Sequence, residues 1–120
     1  MFPAVFQALQ ASPAVVAIVA DKVYRHGAVP TGTSAPYVTW QLIVGTPIQT
    51  LSELPSVDRA TVQVDCWHLD DEVIEVLAKA VRDAIEPLAC LTSMPIDGQE
   101  PDTKLFRFGL QFDWFVGRSA

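Results

Sequence analysis

The residues best suited to chemistry lie together in the segment Cys66-Trp67-His68-Leu69-Asp70-Asp71. A thiolate, an imidazole and a carboxylate could hold a zinc ion, but the segment has neither CxxC nor HxxxH spacing. The strand alternation around it also places Cys66 on the face opposite Asp65. We therefore interpret Cys66 as a core cysteine, His68 as a corner residue and Asp70 as the N-cap of a helix. The segment predicts no metal site and no cofactor.

A cysteine nucleophile would need one of the two cysteines, Cys66 or Cys90, to lie beside one of the two histidines, His26 or His68. No spacing in the sequence brings such a pair together, and the carboxylates at 70–71 fit helix capping better than acid–base catalysis. The glycines match no phosphate-binding loop. We expect a protein that is not an enzyme, and a thiol or metal enzyme is the least favoured alternative.

The elements that would position these residues form a strand–helix unit over residues 59–85. Alternation predicts a strand with an apolar face and a polar face. The apolar face comprises Ala60, Val62, Val64 and Cys66. The polar face comprises Thr61, Gln63, Asp65 and Trp67. Apolar residues then recur at helical spacing from 73 to 85, which predicts an amphipathic helix packed on the apolar face, with an ion pair between Glu75 and Lys79 on its wet side.

The whole chain reads as a single α+β domain over residues 1–120, in the order α-α-β-β-β-α-β. We predict a mainly antiparallel sheet of about four strands, with the long helix on one face and two short N-terminal helices. The alternation of apolar and polar residues in their strands places Trp40 and Trp114 in the core. The stretches 48–58 and 92–103 read as irregular connections, and long ordered loops in a small domain usually contact something.

Composition limits the possible partners. The 120 residues include 14 acids and 8 bases, for a net charge of -6. This balance argues against tight nucleic-acid binding, which needs clustered lysine and arginine. No apolar run approaches the roughly 20 residues that span a bilayer. The N-terminus lacks the positive region of a signal peptide, so we expect no membrane association. Two cysteines are too few for a disulfide scaffold, which fits a reducing, cytosolic history.

The chain resembles the small tail-completion, or head-to-tail joining, proteins of long-tailed bacteriophages. The resemblance covers most of the chain in order and includes the helix pattern over 78–85. Its other motifs are Val23-Tyr24, Ala35-Pro36-Tyr37-Val38-Thr39-Trp40-Gln41, Ala60-Thr61-Val62-Gln63-Val64-Asp65-Cys66-Trp67 and Arg107-Phe108-Gly109-Leu110-Gln111-Phe112-Asp113-Trp114-Phe115.

The resemblance implies a structural protein that forms a ring, typically a hexamer, on the finished tail tube. The ring would stop tube growth and join the tail to the head connector. The implied partners are further copies of the chain, the tail tube protein and the head connector or completion protein. DNA would pass through the lumen without specific binding. The resemblance also implies a place in the virion, at the head–tail interface, after assembly in the cytoplasm of the host bacterium.

We expect the ring contacts to lie on the polar strand face and in the first long connection. The expected contact residues are Thr61, Gln63, Asp65, Trp67, Ile48, Leu51 and Leu54. The polar sheet face, which also includes Gln111, would line the lumen. A small dimeric α+β ligand-binding or regulatory domain remains the main alternative. Such a domain could have the same sheet, with one apolar and one polar face, and would bind its ligand in an apolar pocket.

Overall fold

The computed structural model describes residues 2–48, 54 and 56–118 and confirms the α+β class. Its elements are α1 (Val5–Gln10), α2 (Pro13–Val19), β1 (Val23–Arg25), β2 (Tyr37–Pro47), β3 (Val57–His68), α3 (Asp71–Ile85), β4 (Cys90–Gln99) and β5 (Phe106–Gly117). The strands form one sheet in the order β1-β2-β3-β5-β4. β1 pairs with β2 in parallel, and the other pairings are antiparallel. No helix of the described residues is long and apolar enough to cross a membrane.

The sheet has five strands rather than about four, because β4 occupies part of the stretch predicted to be irregular. β4 contains Pro95 and Gly98, and its pairing with β5 shifts register twice, between Leu91 and Ser93 and between Ser93 and Ile96. The strand lies at the edge of the sheet, where a proline is tolerated because the outer side needs no ladder hydrogen bond. These irregularities hide the strand from sequence patterns.

β2, β3 and β5 continue together into an arm, which we define as residues 43–47, 57–61 and 113–117 of the three strands. The strands pair through this region, for example Thr46 with Arg59 and Arg59 with Phe115. The molecule is accordingly long, with extents of 52 × 29 × 25 Å. The Arg118 guanidinium bonds Asp58 at 2.7 Å and lowers the pKa of that carboxyl, which ties the end of β5 to the start of β3.

The core lies between the sheet and the helices. Side chains of β3 and β5 such as Val62, Val64 and Phe112 are fully buried there with residues of all three helices. Trp40 and Trp114 are 9% and 8% exposed, which confirms that both belong to the core.

Two predictions about the outer side of α3 are wrong. Val76 lies within the apolar stripe predicted over 73–85 but is 60% exposed. The described ion pairs do not include Glu75 with Lys79, and the i,i+4 pair of the helix is Arg82 with Glu86 at 3.3 Å.

Candidate functional site

The corner between β3 and α3 uses its polar groups to build the turn. The Asp70 carboxylate accepts a hydrogen bond from the Glu72 N–H at 3.0 Å, so Asp70 is the N-cap, as predicted. The Asp70 N–H in turn donates to Nδ1 of His68 at 2.8 Å. Cys66 is fully buried, and burial raises the pKa of its thiol. Across the described ranges, no group of three or more His, Cys, Asp or Glu residues is placed to hold a metal ion.

The polar face of β3 lies on the side of the sheet turned away from the helices, which we call the helix-free face. The register confirms that Thr61, Gln63, Asp65 and Trp67 share this face with residues of β2 and β5. Three of them are nevertheless buried, since Thr61, Gln63 and Asp65 are only 7%, 9% and 1% exposed. These side chains are enclosed by polar and aromatic neighbours on the same face.

Asp65 is the centre of this enclosure. One carboxylate oxygen accepts from the Arg107 guanidinium at 2.9 Å and the other from the Gln63 amide at 3.0 Å. Arg107 also approaches Glu100, at 3.7 Å. Gly109 lies opposite Asp65 on β5, and a Cβ atom there would meet Oδ1 of Asp65 at 2.7 Å. The glycine therefore makes the room that the buried carboxylate occupies.

Aromatic rings continue the enclosure toward the end of β3. Trp67 stacks on Tyr37 with ring centroids 6.0 Å apart, and its indole N–H donates to Oγ1 of Thr39 at 2.9 Å. The Arg107 guanidinium lies 4.9 Å from the centroid of the Trp67 ring, which adds a cation–π contact. Burial, followed by the charge of Glu100, raises the pKa of Tyr37. The result is a fixed polar surface whose central charges are paired within the chain.

Toward the arm the same face becomes apolar. Thr61 donates to Asp113 at 2.9 Å, and Val44 of β2, which is 49% exposed, lies level with this pair. Beyond the pair the face carries Phe115, which is 56% exposed. Arg59 lies between β2 and β5 at this position. We call Val44, Arg59 and Phe115 the arm patch. We did not predict it as a site, although the alternation of the last strand already placed Phe115 in the polar phase.

The apolar residues expected in the first long connection are only partly visible. Ile48 is 41% exposed and its N–H bonds the Val57 carbonyl at 2.9 Å, closing the end of the arm. Leu54 is 88% exposed. Leu51 lies outside the described residues.

A second exposed surface lies on the helix side, between α3 and β4. It is an open groove with a volume of about 440 Å³, which we call the α3–β4 groove. Its apolar lining includes Ile74, Ala78, Met94, Phe108 and Leu110. Its charged lining comprises Asp71, Glu72, Glu75, Asp97, Lys79 and Arg82. The excess of carboxylates gives this surface a negative charge, unlike the internally paired centre of the helix-free face.

Comparison with known proteins gives a family match and a structural likeness. The family model described as tail completion protein gp17 matches residues 3–117. A chain in the solved structure titled "Virion of native gene transfer agent (GTA) particle" is 22% identical, with a TM-score of 0.66 over 95% of this chain and 92% of that chain. At this identity the likeness shows the fold alone. No curated protein matches the chain.

Proposed function

Because the chain belongs to the tail completion protein gp17 family, and so is a structural protein of a phage tail, we propose that it completes the tail as a ring. The ring, typically a hexamer, sits on the finished tail tube, ends its growth and docks the tail to the head connector. The observation that carries this proposal is the family match, which covers nearly the whole chain.

The shape and surfaces of the subunit support a ring. The molecule is long and carries two separate exposed apolar surfaces, the arm patch and the α3–β4 groove. Two different surfaces on one chain allow head-to-tail contacts, which generate closed rings when the rotation closes. Contacts too small to hold one pair of subunits become strong when they repeat around the ring.

We propose that the centre of the helix-free face, around Asp65, lines the lumen, while the arm patch of the same face does not. Asp65 is paired with Arg107 and Gln63, and Asp113 with Thr61, so the face offers DNA a polar surface with few unpaired groups. Phosphates bind where lysine and arginine cluster without carboxylate partners. DNA would therefore pass along this face without being held.

The contact residues are proposed in two groups. Ile48, at the end of the arm, and Leu54 are both exposed and would contact the tail tube or a neighbouring subunit. Leu51, which lies outside the described residues, is proposed as a contact on the sequence alone. Trp67 would contribute only its exposed edge, because its ring already packs on Tyr37. Thr61, Gln63 and Asp65 would act indirectly, by holding the strands that carry the exposed residues.

Imaging and complementation test the proposal together. Negative-stain images and native mass spectra of the purified protein, alone and with tail tubes assembled without it, should show a ring, free or bound at the tube end. Phage particles grown without the chain should give unjoined heads and tails, and adding the purified protein should restore joined particles. A tight dimer with a bound small molecule, or joined particles in the absence of the chain, would contradict the tail-completing role.

A further inference from the structure

We propose that neighbouring subunits of the ring are joined by the arm patch of one copy docking into the α3–β4 groove of the next. This inference rests on the ring of the proposed function and names the two surfaces that build it. The occupant of the groove is thus a second copy of this chain, approaching with Val44, Arg59 and Phe115.

The two surfaces lie too far apart to meet within one chain. The arm patch is on the helix-free face and the groove is on the helix side. Along β5, Phe115 of the patch and Phe108 of the groove are seven residues apart, which corresponds to about 24 Å of extended strand. A contact between them must therefore join two copies.

The pairing is also heterologous, because it joins two different surfaces. Each subunit would then use one surface on each neighbour, and the contact would repeat around a ring. A two-fold contact of patch with patch would leave both grooves open.

Both surfaces expose apolar side chains that the chain itself leaves uncovered. Val44 and Phe115 are about half exposed on the arm, and Met94 is 58% exposed at the groove. Phe108 is half-buried in the groove lining, and Leu110 below it is buried. An aromatic side chain such as Phe115 buries a large apolar area when it enters such a groove, which makes it the natural anchor of the contact.

The charges of the two surfaces are complementary. Among the described residues, Arg59 has no carboxylate at ion-pair distance, and its Nε atom is buried without a hydrogen-bond partner. The groove carries the opposite charge, and the described ion pairs include none of its carboxylates: Asp71, Glu72, Glu75 and Asp97.

The cations of the groove do not cancel this excess. Arg82 is already bonded to Asp83 at 3.2 Å and to Glu86 at 3.3 Å, which leaves Lys79 as the other cation of the lining. A guanidinium that arrives beside Phe115 therefore meets carboxylates that lie outside the described ion pairs, and this charge match favours the groove as its docking site.

Two exposed positions allow the pairing to be broken from either side. Phe115→Asp disables the patch and Met94→Asp disables the groove, and both side chains are more than half exposed, so the fold should tolerate each change. In native mass spectrometry, each variant alone should lose the ring, with the contact weakened about 30-fold or more, as expected for an anchor residue. Leu88→Asp, at an equally exposed position outside both surfaces, should keep it.

An equimolar mixture of the two variants gives the most specific result. The Phe115→Asp chain keeps an intact groove and the Met94→Asp chain keeps an intact patch. One productive contact is therefore possible between them, and the mixture should form heterodimers that grow no further. Arg59→Gln should weaken association and flatten its dependence on salt, because the screened charge pair is gone.

The outcomes separate this inference from the proposed function. Rings in either single variant, a mixture without heterodimers, or loss of the ring in Leu88→Asp would overturn the patch–groove pairing and leave the ring itself standing. An unchanged salt dependence in Arg59→Gln would overturn the charge match. A wild-type protein that stays a monomer or a dimer, both free and on tail tubes, would overturn the ring and this pairing with it.

Discussion

The two faces of the sheet are buried in different ways. On the helix side, Val62, Val64 and Phe112 are fully buried beneath the three helices. On the helix-free face, Gln63 and Asp65 are almost as inaccessible, although only side chains of the sheet itself cover them. Apolar burial is non-directional and tolerates side chains of similar volume. The burial of a polar group depends on specific hydrogen-bond partners, because removing one partner leaves the other buried group without a hydrogen bond. The two faces should therefore respond differently to substitution, even where the side chains are equally enclosed.

The largest loss is expected on the helix side. Phe112→Ala removes a fully buried ring from the core and leaves a cavity. We expect the free energy of unfolding to fall by about 3–5 kcal/mol, measured by urea denaturation. Phe112→Leu, which keeps most of the volume, should cost clearly less. Equal losses for the two variants would mean that this face does not tolerate a side chain of similar volume, which would contradict the difference between the two faces.

Asp65→Ala should cost nearly as much on the polar face. It leaves the Arg107 guanidinium without its partner at 2.9 Å and the Gln63 amide without its acceptor. Since Arg107 keeps 22% of its side chain exposed, we expect the lower end of the range for a broken buried pair, about 3 kcal/mol. A double-mutant cycle with Arg107→Met should show strong coupling. A loss within about 0.5 kcal/mol, with assembly abolished, would restore the view of Asp65 as a contact residue only.

Gly109→Ala should give a smaller loss that depends on Asp65. The added Cβ would meet Oδ1 of Asp65 at 2.7 Å and Cβ of Ile96 at 3.2 Å. We expect destabilisation of about 1–3 kcal/mol, typical of overpacking. The same change should cost less in an Asp65→Ala background, because the closer obstacle is gone. Gly45→Ala, with nothing within 4 Å of its Cβ, serves as the control. Equal costs for Gly109→Ala in both backgrounds would exclude the carboxylate as the obstacle.

The two cysteines can be used to test how well the core on the helix side excludes solvent. Cys66 is buried and its thiol pKa is raised, whereas Cys90 is exposed on β4. At pH 8 a thiol reagent should label Cys90 in the folded protein and Cys66 only after denaturation. Because the folded state keeps the Cys66 proton, stability should fall as the pH rises above about 8.5, the pKa of an unfolded thiol. Fast native labelling of Cys66, shown with Cys90→Ser, would mean that the core opens readily.

Local patterns were sufficient to predict the strand–helix unit. The alternation through β3, the Asp70 cap and the stripe of α3 each depend on residues close in sequence, and the structure confirms them apart from Val76. β4 could not be predicted, because Pro95 and the register shifts break the alternation that identifies a strand.

The burial of the polar face could not be predicted from the sequence either. Asp65 is enclosed by Arg107, which lies 42 residues away, and alternation alone says which face a side chain shares but not what covers it. The arm patch was missed for a related reason. Phe115 follows the polar phase of its strand, and only the pairing of the three strands shows that it lies beside Arg59, with Val44 on the opposite side of β3.

The central position of β3 has a mechanical consequence. The strand is bonded to β5 from Val57 to His68 and to β2 over most of that length, so the arm and the helix-bearing end share one continuous ladder. We expect a pull applied at the end of the arm to be carried along the strands as shear, distributed over many backbone hydrogen bonds. If the chain forms the proposed ring, a load on that ring would then separate the subunits at their contacts before the subunits themselves unfold. Single-molecule pulling between positions 46 and 69, which lie at opposite ends of the β2–β3 ladder, would measure this resistance, and unfolding at low force would contradict it.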